Sequence, residues 1–436
     1  MKPYRVYAAF LAALILVSCS AGRQIGRGVQ KTFRNAPLTR QYHVGFALYD
    51  PETKKMLYQQ DADRYYTPAS NTKLYTFYAG LKILKDSLPS LRFVEQGDSL
   101  IFWGTGDPSF LHSQLKNRVA LDFLSRSPKK LFFAPGRYTG PVYGLGWAWD
   151  DYNDYYQAEI NELPVMDNLV VVSKKKSGGL DISPKVFADC FVADPDKKGG
   201  FGIQRAFLEN TFRYPEGAVP DRFTQQIPYK VSDLLTVNLL SDTLHKPVEL
   251  VSRKMPSYAK TVYGARRDSV LKQMMLPSDN FVAEQLLLVY ADQAGLEMNA
   301  AKVIDHVTKT YLADLPDKPQ WADGSGLSRM DLFTPRDMIY LLELIWKEFP
   351  DKQKLFELLP AGGKSGTLRN AYPKTGQPFV FGKTGTLSNV HNQSGYIRTK
   401  KGKLLLFAFM NNNFLQPTAE VRKEMVRIMT EIHEKY

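Results

Sequence analysis

Two cysteines, Cys19 and Cys190, are all that this chain of 436 residues contains, and the segment before Cys19 limits how they can be used. Lys2 and Arg5 form a short positive stretch, Val6 to Val17 is apolar but too short to cross a bilayer as an ordinary helix, and small residues follow. This is the pattern of an export signal. Leu16-Val17-Ser18-Cys19 has the form of a bacterial lipobox, in which the cysteine becomes the lipid-bearing first residue of the mature protein. With Cys19 acylated, Cys190 has no partner for an internal disulfide, so an exported chain of this kind has to hold itself together by its hydrophobic core. A content of 44% hydrophobic and 12% aromatic residues supplies one. The expected layout is a signal peptide over 1–18 and a polar, Gly- and Arg-containing tether over 19–40.

The formal charge of +13 is spread out rather than concentrated. Lys174-Lys175-Lys176 and Lys197-Lys198 sit beside glycine-rich turns, without interleaved aromatics or zinc-finger spacing, so they read as a solvated basic face and not as a nucleic-acid site. The six histidines are scattered. They give no metal centre, and nothing in the sequence asks for a cofactor.

Along the chain, His43 to Gln60 reads as a hairpin turning at Asp50-Pro51-Glu52-Thr53, followed by an amphipathic helix from about Ser70 with Leu74, Phe77, Leu81 and Leu84 on one face. After Pro89 the pattern changes to short strands and turns until about residue 250. Helical periodicity returns near Arg267 and runs through Phe281–Tyr290, Ala301–Leu312 and Pro335–Trp346, the last with Thr334 as N-cap. Two strands, Ser394–Thr399 and Lys403–Met410, precede a final helix carrying Val421, Met425, Ile428, Met429 and Ile432. An α+β core over 41–92 and 251–436, split by an insert over 93–250, is the expected organisation.

Three short motifs then occur in order: Ser70-Asn71-Thr72-Lys73, Ser278-Asp279-Asn280 and Lys383-Thr384-Gly385. Serine and lysine three apart on a helix share a face, so the Lys73 amine can reach the Ser70 hydroxyl, and the helix N-terminus offers free N–H groups where an oxyanion would form. Lys73 is the candidate base, Ser278 a proton relay to a leaving amine, and Asn280 a partner for a substrate amide. The competing reading of Ser278 and Asn280 is ordinary helix capping after Pro277. Lys383, with the hydroxyls of Thr384 and Thr386, would hold a terminal carboxylate, and Gly385 leaves room for close backbone approach. The S-x-x-K spacing recurs at Ser113, Ser127, Ser173, Ser257 and Ser269, and K-T-G recurs at Lys374 between Pro373 and Pro378. Ser70 is preferred because Pro68-Ala69 leads into a helix there; Lys383 is preferred because it continues the strand-like Phe379-Val380-Phe381. No G-x-S-x-G, H-E-x-x-H or complete P-loop occurs.

The trio resembles that of penicillin-binding proteins and serine β-lactamases. Together with GTGDP at 104–108, GWAWDDYNDYY at 146–156, Met166-Asp167-Asn168 and DGSGLSR at 323–329, it is similar to the D-alanyl-D-alanine carboxypeptidase/endopeptidase family, the low-molecular-mass class C penicillin-binding proteins. That resemblance implies a transpeptidase-like core, an antiparallel sheet flanked by helices with a mixed α/β domain inserted between the first and second motifs. It implies an enzyme that cuts peptidoglycan stem peptides through an acyl-enzyme at Ser70 and is acylated by β-lactams, and the lipobox at Cys19 adds a lipid anchor in the periplasmic envelope. It also implies that Asp151, Tyr156 and Arg329 contact the penultimate diamino acid of the stem. The alternative within the same fold is a catalytically weak peptidoglycan-binding lipoprotein.

Overall fold

The computed structural model describes residues 22–374 and 376–436; the leader and Cys19 lie outside the described residues. The chain opens with a helix, α1 (22–34), then β1 (His43–Asp50) and β2 (Lys55–Gln60), joined by a turn in which Asp50 Oδ1 accepts from the N–H groups of Glu52 and Thr53. A 3-10 turn, Ala69–Thr72, runs into α2 (Lys73–Ile83). The chain then leaves the core along β3 (Ser87–Gln96), β4 (Ser99–Gly104), α3 (Val119–Arg126) and β5 (Lys130–Phe133). Six short strands follow: β6 (Leu169–Lys174), β7 (Leu180–Ser183), β8 (Phe191–Asp194), β9 (Gln204–Arg205), β10 (Phe212–Pro215) and β11 (Thr224–Pro228). It returns through α4 (Asp233–Leu244), β12 (Val248–Leu250) and β13 (Lys260–Arg266). The helices α5 (Arg267–Met275), α6 (Asn280–Ala294), α7 (Ala300–Tyr311), α8 (Pro335–Glu348) and α9 (Lys352–Leu358) rebuild the core. β14 (Val380–Leu387), β15 (Val390–Arg398), β16 (Leu404–Asn412) and α10 (Thr418–Lys435) complete it.

The core sheet is antiparallel in the order β14-β15-β16-β1-β2. Strand side chains alternate between faces, and here both faces are covered. Leu406, Ala408 and Met410 of β16 point into the layer of α2 and α8, while Leu405, Phe407 and Phe409 point towards α1 and α10. That is why β16 is an unbroken apolar run. The C-terminal helix buries Val421, Met425, Ile428, Met429 and Ile432, the stripe read from its sequence. At α8, Thr334 accepts from the Asp337 N–H, with Pro335 at the first turn, as its sequence predicts.

Two expectations are corrected. The segment assigned as a tether over 19–40 is, from residue 22, a packed helix: Ile25, Val29 and Phe33 recur at helical spacing and are buried on the sheet. Their spacing outweighs the polar composition around them. The helix beginning at Lys73 is not amphipathic, since every residue from Lys73 to Gly80 is buried. It lies between α5, α6, α8 and the sheet side, so its first two turns leave no face for solvent.

The second unit is built on a five-stranded sheet in the order β12-β5-β4-β3-β13, with two three-stranded sheets, β11-β6-β7 and β8-β10-β9, beside it. β3 leaves directly after α2 and β13 re-enters directly before α5, and the two pair antiparallel. The excursion therefore spans 87–266, six residues wider at its start and sixteen at its end than 93–250. Its ends lie side by side, so it interrupts the core without opening it.

Phe33 is buried against Phe46, Tyr58 and Phe409, with ring centroids 4.8, 5.6 and 5.5 Å away. Phe33→Ala is expected to lower the unfolding free energy by about 3–5 kcal/mol, measured by urea denaturation. A near-zero change would show that α1 contributes nothing to the fold.

Candidate active site

Ser70 sits in the 3-10 turn that starts α2, and the residue before it, Ala69, is held at φ +48. A left-handed alanine is costly, of order 1–2 kcal/mol, and such positions persist only where packing holds them. Here Gly326 packs so tightly on the Ala69 carbonyl that a Cβ at Gly326 would collide with it.

Lys73 is fully buried, and its ammonium donates to Ser70 Oγ at 3.0 Å, Asn280 Oδ1 at 2.6 Å and the Ser325 carbonyl at 2.8 Å. Burial lowers its pKa to about 8, against the opposing pull of Asp323, Glu284, Asp279 and Asp331.

The second motif divides its labour. Asp279 caps α6, accepting from the Val282 N–H at 3.0 Å, so capping belongs to the middle residue. Ser278, at φ +67, and Asn280 are left to face the site. Asn280 is expected to receive a substrate amide, but both ends of its own amide are used within the protein: Oδ1 by Lys73, and Nδ2 by donation to the Tyr156 carbonyl at 3.1 Å. Asp279 is also approached by His112 of the second unit, whose Nε2 lies 3.6 Å from both Asp279 and Asp167.

The third motif lies on β14, the edge of the core sheet. Lys383 is fully buried and donates to Ser278 Oγ at 2.8 Å and to the Thr384 carbonyl at 2.6 Å. Burial, with Lys73 adding repulsion, pushes its pKa well below the usual lysine value. Strand alternation turns the side chain of Lys383, the residue expected to hold a terminal carboxylate, inward to Ser278. A Cβ on Gly385 would lie 2.5 Å from the Pro68 carbonyl and 2.9 Å from Ser70 N, so only glycine lets β14 run against the Ser70 turn. Lys374 is exposed on the loop before β14 and does not line the cleft.

Three buried carboxylates stand behind Lys73, of which Asp323 opens the DGSGLSR block while Glu284 and Asp331 lie outside every motif. Glu284 accepts from the N–H groups of Gly324 and Ser325 at 2.9 and 2.7 Å. Asp323 accepts from Gly326 N and Ser328 N at 2.6 Å and from Trp147 Nε1 at 2.9 Å. Asp331 accepts from Ala322 N at 2.6 Å and from Thr72 Oγ1 at 3.2 Å. They fold the 323–331 loop over the lysine and aim the Ser325 carbonyl at it. Burial, then repulsion from Asp323, raises Glu284 to about 8 and pushes Asp331 well up. The available signal was Glu284, one helical turn after Asn280 and so on the same face.

Ser70 opens into a cleft of about 490 Å³ whose lining also includes Ser278, Asn280 and Thr386, with Asp151, Tyr156 and Arg329. The structure thus brings the three resemblance-derived residues to the same cleft. Burial raises the Asp151 pKa, partly offset by a hydrogen bond with Tyr156. The Arg329 guanidinium reaches only the Ser388 carbonyl, at 3.4 and 3.5 Å, and makes no ion pair with Asp151. Among the described residues no His, Cys, Asp and Glu cluster could hold a metal ion.

Residues 28–191 and 233–433 match the D-Ala-D-Ala carboxypeptidase 3 (S13) family. A curated relative, the D-alanyl-D-alanine carboxypeptidase DacB of Haemophilus influenzae, is 23% identical over 418 residues, 85% of this chain and 86% of the relative. The crystal structure of penicillin binding protein 4 (dacB) from Haemophilus influenzae superposes with a TM-score of 0.74 at 19% identity, covering 93% of this chain and 99% of that one. A second structure of that protein, complexed with a β-lactam, gives a TM-score of 0.68 at 18% identity over the same shares. At such identities the two structures speak for the fold.

Proposed function

This chain belongs to the D-Ala-D-Ala carboxypeptidase 3 (S13) family and is a serine-type D-Ala-D-Ala peptidase of peptidoglycan, and we propose that it works through an acyl-enzyme on Ser70. The observation that carries this is the 3.0 Å contact between Ser70 Oγ and the buried, weakened base Lys73. Neutral Lys73 takes the Ser70 proton as Oγ attacks the carbonyl of the penultimate D-alanine. The backbone N–H groups of Ser70 and Thr386, brought close by Gly385, receive the oxyanion. Ser278, linked to Lys383, passes a proton to the amine of the departing D-alanine, and water then releases the acyl group. Asn280 holds the Lys73 amine in line with Ser70. A β-lactam presents an acyl-D-Ala-D-Ala-like carbonyl to the same serine; penicillin binding protein 4 of Haemophilus influenzae is itself known in complex with a β-lactam.

A labelled penicillin should mark the protein, Ser70→Ala should abolish labelling, and Lys374→Ala should leave it intact. Because the protonated form of Lys73 cannot act as base, the acylation rate should rise with pH and level off above about 8. A rate that is flat across this range would remove Lys73 from the role. Labelling that survives Ser70→Ala would remove the acyl-enzyme reading, and no labelling of the wild type would favour the peptidoglycan-binding alternative.

Asp151, Tyr156 and Arg329 line the cleft with Ser70, where a carboxylate and a guanidinium that form no ion pair with each other suit the free amine and carboxylate of a diaminopimelate side chain. Asp151→Ala should cut kcat/KM on diaminopimelate-containing peptides far more than on diacetyl-lysine analogues. Equal losses on both would place the diamino acid elsewhere.

The envelope location rests on the leader. No helix among the described residues is long and apolar enough to cross a membrane, and α1 begins a few residues after Cys19, so a lipid on Cys19 would hold the folded core directly at the surface of the outer membrane. Two or more acyl chains give stable anchoring. Cys19→Ser should release the protein to the soluble fraction or block its processing; mass spectrometry showing an unmodified Cys19 at the mature N-terminus would end this reading.

A further inference from the structure

Basic residues that lie far apart in the sequence meet at one end of the core. The first acid in the chain is Asp50, so the charged residues of α1 are all positive, and Arg23 and Arg27, one turn apart, are exposed at its start. Gly22 and Gly26 pack on Leu57 of β2, close to the turn between β1 and β2, and Gly28 packs on the hydroxyl of Tyr436, the residue that follows α10. That end of α10 is tied to the turn between β15 and β16: Lys400 N donates to the His433 carbonyl at 2.8 Å, and Lys401 N to the Tyr436 backbone oxygen at 3.0 Å. The turn between β1 and β2 leaves the sheet at the same end, since Asp50 pairs with Lys403. Arg23, Arg27, Lys54, Lys400 and Lys401 are therefore gathered there, all exposed.

The acids of this end are mostly engaged. Asp50 is held by Lys403, Glu434 by Lys400, and Glu431 by Lys435 and Arg427. Glu52 and the Tyr436 carboxylate are the other negative groups. Arg23, Arg27, Lys54 and Lys401 make no ion pair among the described residues. A surplus of this kind presents a positive field to whatever lies opposite.

Two observations say what that is. Cys19 precedes Arg23 by four positions, which leaves at most about 14 Å of extended chain between a lipidated cysteine and this surface. The Ser70 cleft lies at the other end of the sheet, where Leu387 and Ser388, at the turn between β14 and β15, line it. The nine residues of β15, at about 3.3 Å each, put roughly 30 Å between the two ends. We propose that the basic end of the core docks on a phospholipid leaflet carrying anionic headgroups, and so holds the Ser70 cleft away from the membrane, towards the wall. A lipid on Cys19 fixes distance but not orientation; the charged end supplies the orientation.

The chain from Ser20 to Tyr436 contains every described element and no lipid, so it tests the surface apart from the anchor. It should sediment with vesicles of phosphatidylglycerol and phosphatidylcholine in about a 1:2 ratio, not with phosphatidylcholine alone, and less as salt is raised. Arg23→Glu, Arg27→Glu, Lys54→Glu and Lys401→Glu combined should lower partitioning by about a hundredfold or more, since each basic residue near an anionic surface contributes about fivefold. Lys175→Glu, Lys176→Glu, Lys197→Glu and Lys198→Glu, on the second unit, change the net charge equally and should leave most of the binding. Cooperative unfolding in urea reports that each variant is folded. Equal losses in the two variants, equal binding of the wild type to both kinds of vesicle, or binding to neither would overturn the docking surface. Whether Cys19 carries a lipid is decided separately, by the mass of the mature N-terminus.

Discussion

The ammonium of Lys73 has no water to bind, and much of the molecule is arranged to compensate for that. An isolated buried ion costs several kcal/mol, so each of its donors is met: by Ser70 on its own helix, by Asn280 on α6 and by the Ser325 carbonyl. Each acceptor is itself held. Asn280 is pinned through the Tyr156 carbonyl, and the Ser325 loop is pinned through Glu284. Burial alone would drive the lysine far down in pKa, and the carboxylates at Glu284, Asp323 and Asp331 pull it back, leaving a value of about 8. A base near the working pH is the outcome of two large opposed effects, not of a lysine left alone.

Those carboxylates do not all carry full charge. Glu284 and Asp331 are raised by burial and by their neighbour Asp323, so the cluster acts through hydrogen bonds to backbone N–H groups as much as through charge. Its visible consequence is the shape of the 323–331 loop. That loop places Gly326 on the Ala69 carbonyl and Arg329 in the cleft.

Helix α6 joins the two units to this centre. Its first turn presents Asn280 and its second Glu284. Gln285 Nε2 donates to the carbonyls of Gly106 and Asn161, and near its end Asp292 pairs with Arg92 at 2.8 Å and Arg137 at 2.6 Å. The second unit is thus fastened along the length of the helix whose N-terminus forms part of the site. This explains how a long insert can supply Asp151, Tyr156 and His112 to the same region without loosening it. Gly106 belongs to the same seam, since a Cβ there would press on Leu288.

Local rules were enough for much of this. The Thr334-Pro335 start of α8, the apolar stripe of α10, the turn after β1 and the choice of Lys383 over Lys374 all depend on residues within a few positions of one another, where backbone hydrogen bonding and side-chain period decide. The stripe of Ile25, Val29 and Phe33 was equally local, and only the polar residues around it suggested a tether. The motif letters determined which serine and lysines to consider. They could not determine that Lys383 turns inward, that Asn280 is occupied by Lys73 and Tyr156, that Glu284, Asp323 and Asp331 converge behind Lys73, or that Arg23, Lys54 and Lys401 gather at one end of the core. Those facts depend on contacts between residues far apart in the chain, and on how much water the packing removes around each charge. Burial and approach distance are properties of the assembled fold, and they decide pKa and partner where sequence decides only residue type.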